Sequence, residues 1–186
     1  PGVALAGSSR GGAPSAGGRR VFDARLGVGD VDLTELSYLV ASGSNRLGAL
    51  DFQTSPTRYV PRDETATLDE LHEAAIMVEE GRALPQPLAE ALIRGTSIGG
   101  ARPKALLADG DGTQWIAKFS SSSDTHFSVP NAEGATRIRA RHAGIDVCDV
   151  RVTSSLGREV LLVRRFDRTA SGGRIHAVSA LTMSGE

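Results

Sequence analysis

Two short apolar runs, Lys104–Asp109 (KALLAD) and Thr113–Phe119 (TQWIAKF), flank Gly110-Asp111-Gly112. Runs of this kind around a Gly-Asp-Gly connection predict a β-hairpin, because glycine supplies the positive φ that a tight turn requires. A hairpin this apolar must cover at least one face, so the chain has to build a sheet around it. The residues that follow supply the parts. Ser120–Pro130 is a polar loop, Asn131 is placed to cap a helix running to about His142, and Gly144 stops it. Val147–Ser154 and Val160–Arg165 read as strands around Leu156-Gly157-Arg158, and Arg174–Val178 as one more.

Upstream of Arg94–Thr96 the periodicity is helical. Leu33, Leu36 and Val40 share one face, Asp32 and Glu35 are spaced as a capping box, and Gly43 ends the segment. Leu47–Gln53 and Arg58–Val60 read as short strands. Thr67-Leu68-Asp69-Glu70 is a second capping box, followed by a Leu68, Leu71, Ala75, Val78 stripe that Gly81 closes; Pro85–Ile93 reads as a further helix. Residues 1–20 are Gly, Ser, Ala and Arg with almost no large apolar side chain, a composition expected to stay disordered. The expected fold class is α+β: a small mixed domain over 21–93, then an antiparallel sheet with one helix over 94–186.

Charge and cysteine content narrow the function. Lys and Arg total 21 against 22 Asp and Glu, which excludes a bulk basic protein held to nucleic acid by charge. Aromatics are 4% of the chain, too few for a base-stacking platform. The lone Cys148 forms neither an internal disulfide nor a cysteine zinc cluster, and it reads as a small core residue. No apolar run approaches the roughly 20 residues that span a bilayer.

Ser97-Ile-Gly-Gly-Ala-Arg-Pro-Lys104 is a small-residue loop opening directly into the first hairpin strand. Glycines let a backbone approach phosphate oxygens closely, so that its amides can donate to them. The loop lacks the Gly-Lys-Ser/Thr ending and following helix of a Walker loop, and a strand rather than a Rossmann helix follows it. Alone it reads as an ordinary turn. Lys118 lies among apolar neighbours in the second strand, where a cation needs an anion, and Glu133 follows 15 residues later on the next helix. Singly, Lys118 reads as a snorkelling lysine and Glu133 as a first-turn acid. In order, glycine-rich loop, strand lysine and helix glutamate match a protein-kinase N-lobe.

Three motifs carry a resemblance: Ser97–Leu107 (SIGGARPKALL), Trp115–Phe119 (WIAKF) and Leu161–Arg168 (LLVRRFDR), with Val178–Thr182 (VSALT) after them. Together they resemble the HipA family, serine/threonine kinase toxins of bacterial toxin–antitoxin pairs. The resemblance implies that Gly99, Gly100, Ala101, Arg102, Pro103 and Lys104 cradle ATP phosphates. It implies that Lys118 binds ATP, that Glu133 orients the lysine, and that Arg164, Arg165 and Phe166 form the hinge whose backbone meets adenine. It makes Ser97 an autophosphorylation site that switches the kinase off, since a phosphate there would compete for the same amides. The implied cofactors are ATP and Mg²⁺. The implied partners are a helix-turn-helix antitoxin, operator DNA through that antitoxin, and a protein substrate, which in the family can be the aminoacyl-tRNA synthetase for glutamate. The implied location is the cytoplasm, with no membrane partner.

The chain departs from the family at Arg164, where many members carry Glu, and Gly134 is expected to weaken the helix by about 1 kcal/mol relative to Ala and to loosen the lysine–glutamate pair. No catalytic loop or metal-binding aspartate is legible: Asp167 falls within the hinge and His176 reads as a surface strand residue. The C-lobe is therefore expected to be missing, and the chain alone to transfer no phosphate. The alternative is a non-catalytic module that binds an antitoxin. A sugar or aminoglycoside kinase relative is disfavoured by the SIGGARPK and RRFDR motifs.

Overall fold

The computed structural model describes residues 9, 12–13, 19, 33–62, 66–89, 104–122 and 124–184. The hairpin forms from β1 (Lys104–Ala108) and β2 (Gln114–Phe119), registered from Lys104 opposite Lys118 to Ala108 opposite Gln114. Its turn closes through the Gly112 and Asp109 amides, and Gly112 takes a φ of +83°. A second hairpin joins β3 (Val150–Ser155) to β4 (Arg158–Arg164). Both of its turn residues, Leu156 and Gly157, have positive φ, as a twist-matched two-residue turn requires. The four strands form an antiparallel sheet in the order β1-β2-β4-β3.

Helices line both faces. Between β2 and β3 runs α3 (Val129–His142); α1 (Glu35–Ala41) and α2 (Leu68–Glu79) precede the sheet, and α4 (Ala180–Ser184) follows it. Alternation along the strands sends Trp115, Ala117 and Phe119 to one face. There they join Ala105, Val160 and Leu162 and pack against Leu71 and Ala75 of α2. This single core crosses the sequence boundary at residues 93–94, so the first segment is bound to the sheet. Each large apolar side chain buried there contributes about 1.5–3 kcal/mol. Tyr38 of α1 packs with Ala74 on the other side of α2. Hydrogen bonds fix both ends of α2: Ser155 Oγ donates to Asp69 at 2.6 Å, and the Ser122 amide donates to Glu79 at 3.2 Å.

The capping box at Thr67 and Glu70 is complete, with Gly81 in the left-handed region beyond the helix. Other expectations need correction. Thr34, not Asp32, caps α1, and its stripe is rotated: Tyr38 and Leu39 are buried while Leu36 is exposed. Ser128 caps α3 three residues before Asn131, because Pro130 is pre-shaped for a first helical turn. Leu47–Gln53 and Arg58–Val60 form no strands. Side chains take the place of a ladder there: Gln53 accepts from the Val60 amide at 3.0 Å and donates to its carbonyl at 3.1 Å. Arg174–Val178 makes only one bridge, between Arg174 and Arg168. Cys148 lies half-buried in the loop before β3, outside the core.

Of the segment expected to be disordered, Ser9, Gly12, Ala13 and Arg19 are described, and Gly12 and Arg19 are docked. The Gly12 carbonyl accepts from buried Arg46 at 2.8 Å, and Arg19 pairs with Glu35 at 2.5 Å. Of Pro85–Ile93, residues 86–89 are helical and 90–93 lie outside the described residues. No helix among the described residues is long and apolar enough to cross a membrane.

Candidate functional site

The site lies on the sheet face opposite α2. Register places Lys104, Leu106, Ile116, Lys118, Leu161 and Val163 on this face, with Lys104 directly across from Lys118 and Ile116 across from Val163. The helix α3 covers the β3–β4 half of the face and leaves the β1–β2 half beside the two lysines uncovered by α3.

Glu133 enters from the second turn of α3. Its Oε1 accepts from Lys118 Nζ at 2.5 Å, and from Arg137 one turn on at 2.9 Å (Nη2) and 3.1 Å (Nε). Burial alone would raise the Glu133 carboxyl, but the hydrogen bonds from Lys118 and Arg137 hold it below the usual carboxylate range, so it is ionised. Gly134 explains how the helix comes this close. It is buried, and a Cβ there would meet Leu161 Cδ1 and Val152 Cγ2, each at 3.2 Å. The glycine expected to loosen the lysine–glutamate pair instead admits the helix to the distance at which the pair forms.

The glycine-rich loop residues Gly99, Gly100, Ala101, Arg102 and Pro103, and with them Ser97, lie outside the described residues. Lys104, where the loop becomes strand, is described and half-buried. Thus the structure brings together Lys104, Lys118 and Glu133 among the expected site residues. Among the described residues no group of three His, Cys, Asp or Glu side chains could hold a metal ion.

The expected hinge has a different character. Arg164 is exposed and pairs with Asp149 at 3.2 Å. Its amide donates to the Asp149 carbonyl at 2.8 Å, and the Arg165 amide to the Gln114 carbonyl at 2.9 Å, so neither amide is available to a ligand. Phe166 exposes its ring. Arg165 and Asp167 are fully buried and joined by two hydrogen bonds, Nε–Oδ1 at 2.9 Å and Nη2–Oδ2 at 2.6 Å. Arg168 Nη1 adds a contact to Asp167 at 2.8 Å.

The sequence reading missed what this cluster holds. The Gly48 amide donates to Asp167 at 2.6 Å. Asn45 Oδ1 accepts from both Arg165 and Arg168 at 2.8 Å, and the Arg46 carbonyl accepts from the same two side chains. Arg165 and Arg168 thereby clamp residues 45–48, some 120 positions upstream. Burial and the neighbouring Arg165 lower the Arg168 guanidinium to about 10, whereas Asp167 stays below its ordinary range despite burial because its arginine partners outweigh desolvation. Asp167 is thus buried between two arginine partners. The repeated arginines of RRFDR were the visible signal, but nothing in the sequence pointed to Asn45–Gly48. Arg137 was also missed, although its i,i+4 spacing from Glu133 was legible. His176 is exposed, outside any strand, and distant from these groups in role.

Known proteins place this geometry in context. Residues 96–186 match the HipA-like C-terminal domain. The whole fold is similar to a chain of the solved complex of HipA, HipB and operator DNA from the toxin–antitoxin system of Shewanella oneidensis MR-1. The two chains are 20% identical with a TM-score of 0.57, and the alignment covers 92% of this chain and 41% of that one. The present chain therefore spans about two fifths of that protein's length. No curated protein matches it.

Proposed function

We propose that the chain, whose residues 96–186 match the HipA-like C-terminal domain, supplies the ATP-binding lobe of a serine/threonine kinase toxin. The observation that carries this reading is the Lys118–Glu133 ion pair at 2.5 Å, with Lys104 in register across from Lys118. Lys118 and Lys104 would neutralise phosphate oxygens, and Glu133 would hold the Lys118 ammonium in the orientation that meets them. Leu106 and Ile116, both half-buried, offer an apolar floor for a base beside the lysines. ATP, when bound, supplies the transferable phosphoryl group; the protein substrate belongs to the same reading, with the glutamate aminoacyl-tRNA synthetase as the family's example. Mg²⁺, when bound with ATP, would neutralise its phosphates. A helix-turn-helix antitoxin, operator DNA through it, and a cytoplasmic location complete the proposal.

Calorimetric titration of the chain with ATP and Mg²⁺ tests it. Lys118→Ala is expected to weaken binding at least about tenfold, a loss near 1.4 kcal/mol. No binding by the folded wild-type chain, or equal binding by the variant, rejects the nucleotide site. In that case the second reading leads: a non-catalytic module that binds an antitoxin.

A further inference from the structure

Glu133 presents a single oxygen to all three of its cationic contacts. Lys118 Nζ approaches Oε1 at 2.5 Å, while Arg137 approaches the same atom with two nitrogens, at 2.9 and 3.1 Å. The partners differ in origin. Lys118 reaches Glu133 across the gap between sheet and helix, whereas Arg137 stands one helical turn away on α3 itself. The Glu-before-Arg order at i,i+4 is the favourable one on a helix. A two-point guanidinium contact also fixes direction where an ammonium cannot. Arg137 therefore constrains the Glu133 rotamer whether or not Lys118 is in place.

We infer that Arg137 is a positioning residue of this site: by sharing Glu133 Oε1 with Lys118, it fixes the carboxylate and leaves the lysine ammonium able to turn toward an anion. This rests on the nucleotide-site reading above. Two effects run in the same direction. Without Arg137, Glu133 gains rotamer freedom and no longer presents one geometry to Lys118. Glu133 also becomes a counter-ion for Lys118 alone, and that undivided attraction competes with a phosphate for the ammonium. Both effects act through Glu133, which separates this role from a simple contribution of positive charge.

The test uses the full chain and two readouts. Carbon-detected NMR titration of Glu133 without nucleotide is expected to show its pKa rising toward the ordinary 4.5 in Arg137→Ala. With ATP and Mg²⁺ as the probe, Arg137→Ala is expected to weaken binding by about threefold or more. Arg137→Lys, which keeps the charge but loses the two-point contact, should fall between. In a Glu133→Gln background, Arg137→Ala should add less than about twofold. An unmoved Glu133 titration in folded Arg137→Ala overturns the inference, and so does an equal loss of affinity in both backgrounds. If the wild-type chain binds no ATP, the nucleotide reading fails, and the titration alone decides whether Arg137 sets Glu133.

Discussion

Two carboxylates in this molecule each stand between two cations, and they behave as opposites. Glu133 lies between Lys118 and Arg137, with side-chain exposures of 29, 24 and 29%. Asp167 lies between Arg165 and Arg168, with exposures of 0, 0 and 7%. The charge arithmetic is identical. Around Asp167 the surrounding donors and acceptors come from residues 45–48, nothing is left for a ligand, and the cluster fastens two distant parts of the chain. Around Glu133 the partners stand at a partly exposed sheet face, and the ion pair is open to solvent. Burial, rather than the number of charges, separates a sealed joint from a solvent-accessible ion pair.

The largest effect expected from this contrast is at Asp167. Asp167→Asn keeps the shape but leaves Arg165 and Arg168 buried without a counter-ion, at a cost of about 3–5 kcal/mol, read by urea or thermal denaturation. Glu133→Gln should lose less than about 1 kcal/mol by the same measurement, because partly exposed pairs contribute little to stability. Equal losses at the two positions would break the comparison.

A buried titratable group extends the contrast to pH. His72 is fully buried on α2 and stacks on Phe119 at 4.6 Å and 15°. Neither ring nitrogen has a hydrogen-bond partner in good geometry among the described residues. Desolvation and the nearby Arg158 lower its pKa, against the smaller opposing pulls of the Ser155 backbone and Asp69. A lowered folded-state value means that the unfolded chain binds the proton more readily, so the His72 contribution is complete above about pH 6.5 and declines as pH falls below it. His72→Phe should flatten stability between pH 6.5 and 5, where the carboxylates remain ionised. A slope unchanged by the substitution would assign that loss elsewhere.

The smallest effect is at Gly134. Alanine there gains helix propensity worth about 1 kcal/mol but must push aside Leu161 and Val152, an overpacking cost of about 1–3 kcal/mol. The net expectation is a slight loss of stability, read by denaturation, with a weaker hold on ATP because α3 and Glu133 are displaced from Lys118. A more stable variant with unchanged ATP affinity would show that the close approach is unnecessary.

Much of this was legible before any coordinates. The hairpin, the Thr67 capping box and the strand around Val160–Arg164 follow from local rules, because turn residues, caps and apolar alternation act within a few positions. The pairing of Lys118 with Glu133 was legible from motif order. What failed was also local in origin. Leu47–Gln53 has strand-like composition, yet Asp51 accepts from the Phe52 amide, Arg62 donates to the Phe52 carbonyl, and no ladder forms. Leu36 has a helical partner pattern, but α2 packs on the Tyr38 side of α1.

The sequence by itself determined the hairpins, the helix caps and the order of loop, lysine and glutamate, because each depends on neighbours along the chain. Only the tertiary structure decided that Gly134 is a point of contact, that Arg137 shares the acid with Lys118, and that RRFDR clamps Asn45–Gly48. Those outcomes depend on which surfaces meet and how much water they exclude. Desolvation is a property of the assembled fold, and it is what makes the same carboxylate with two cations a sealed joint at Asp167 and a solvent-accessible ion pair at Glu133.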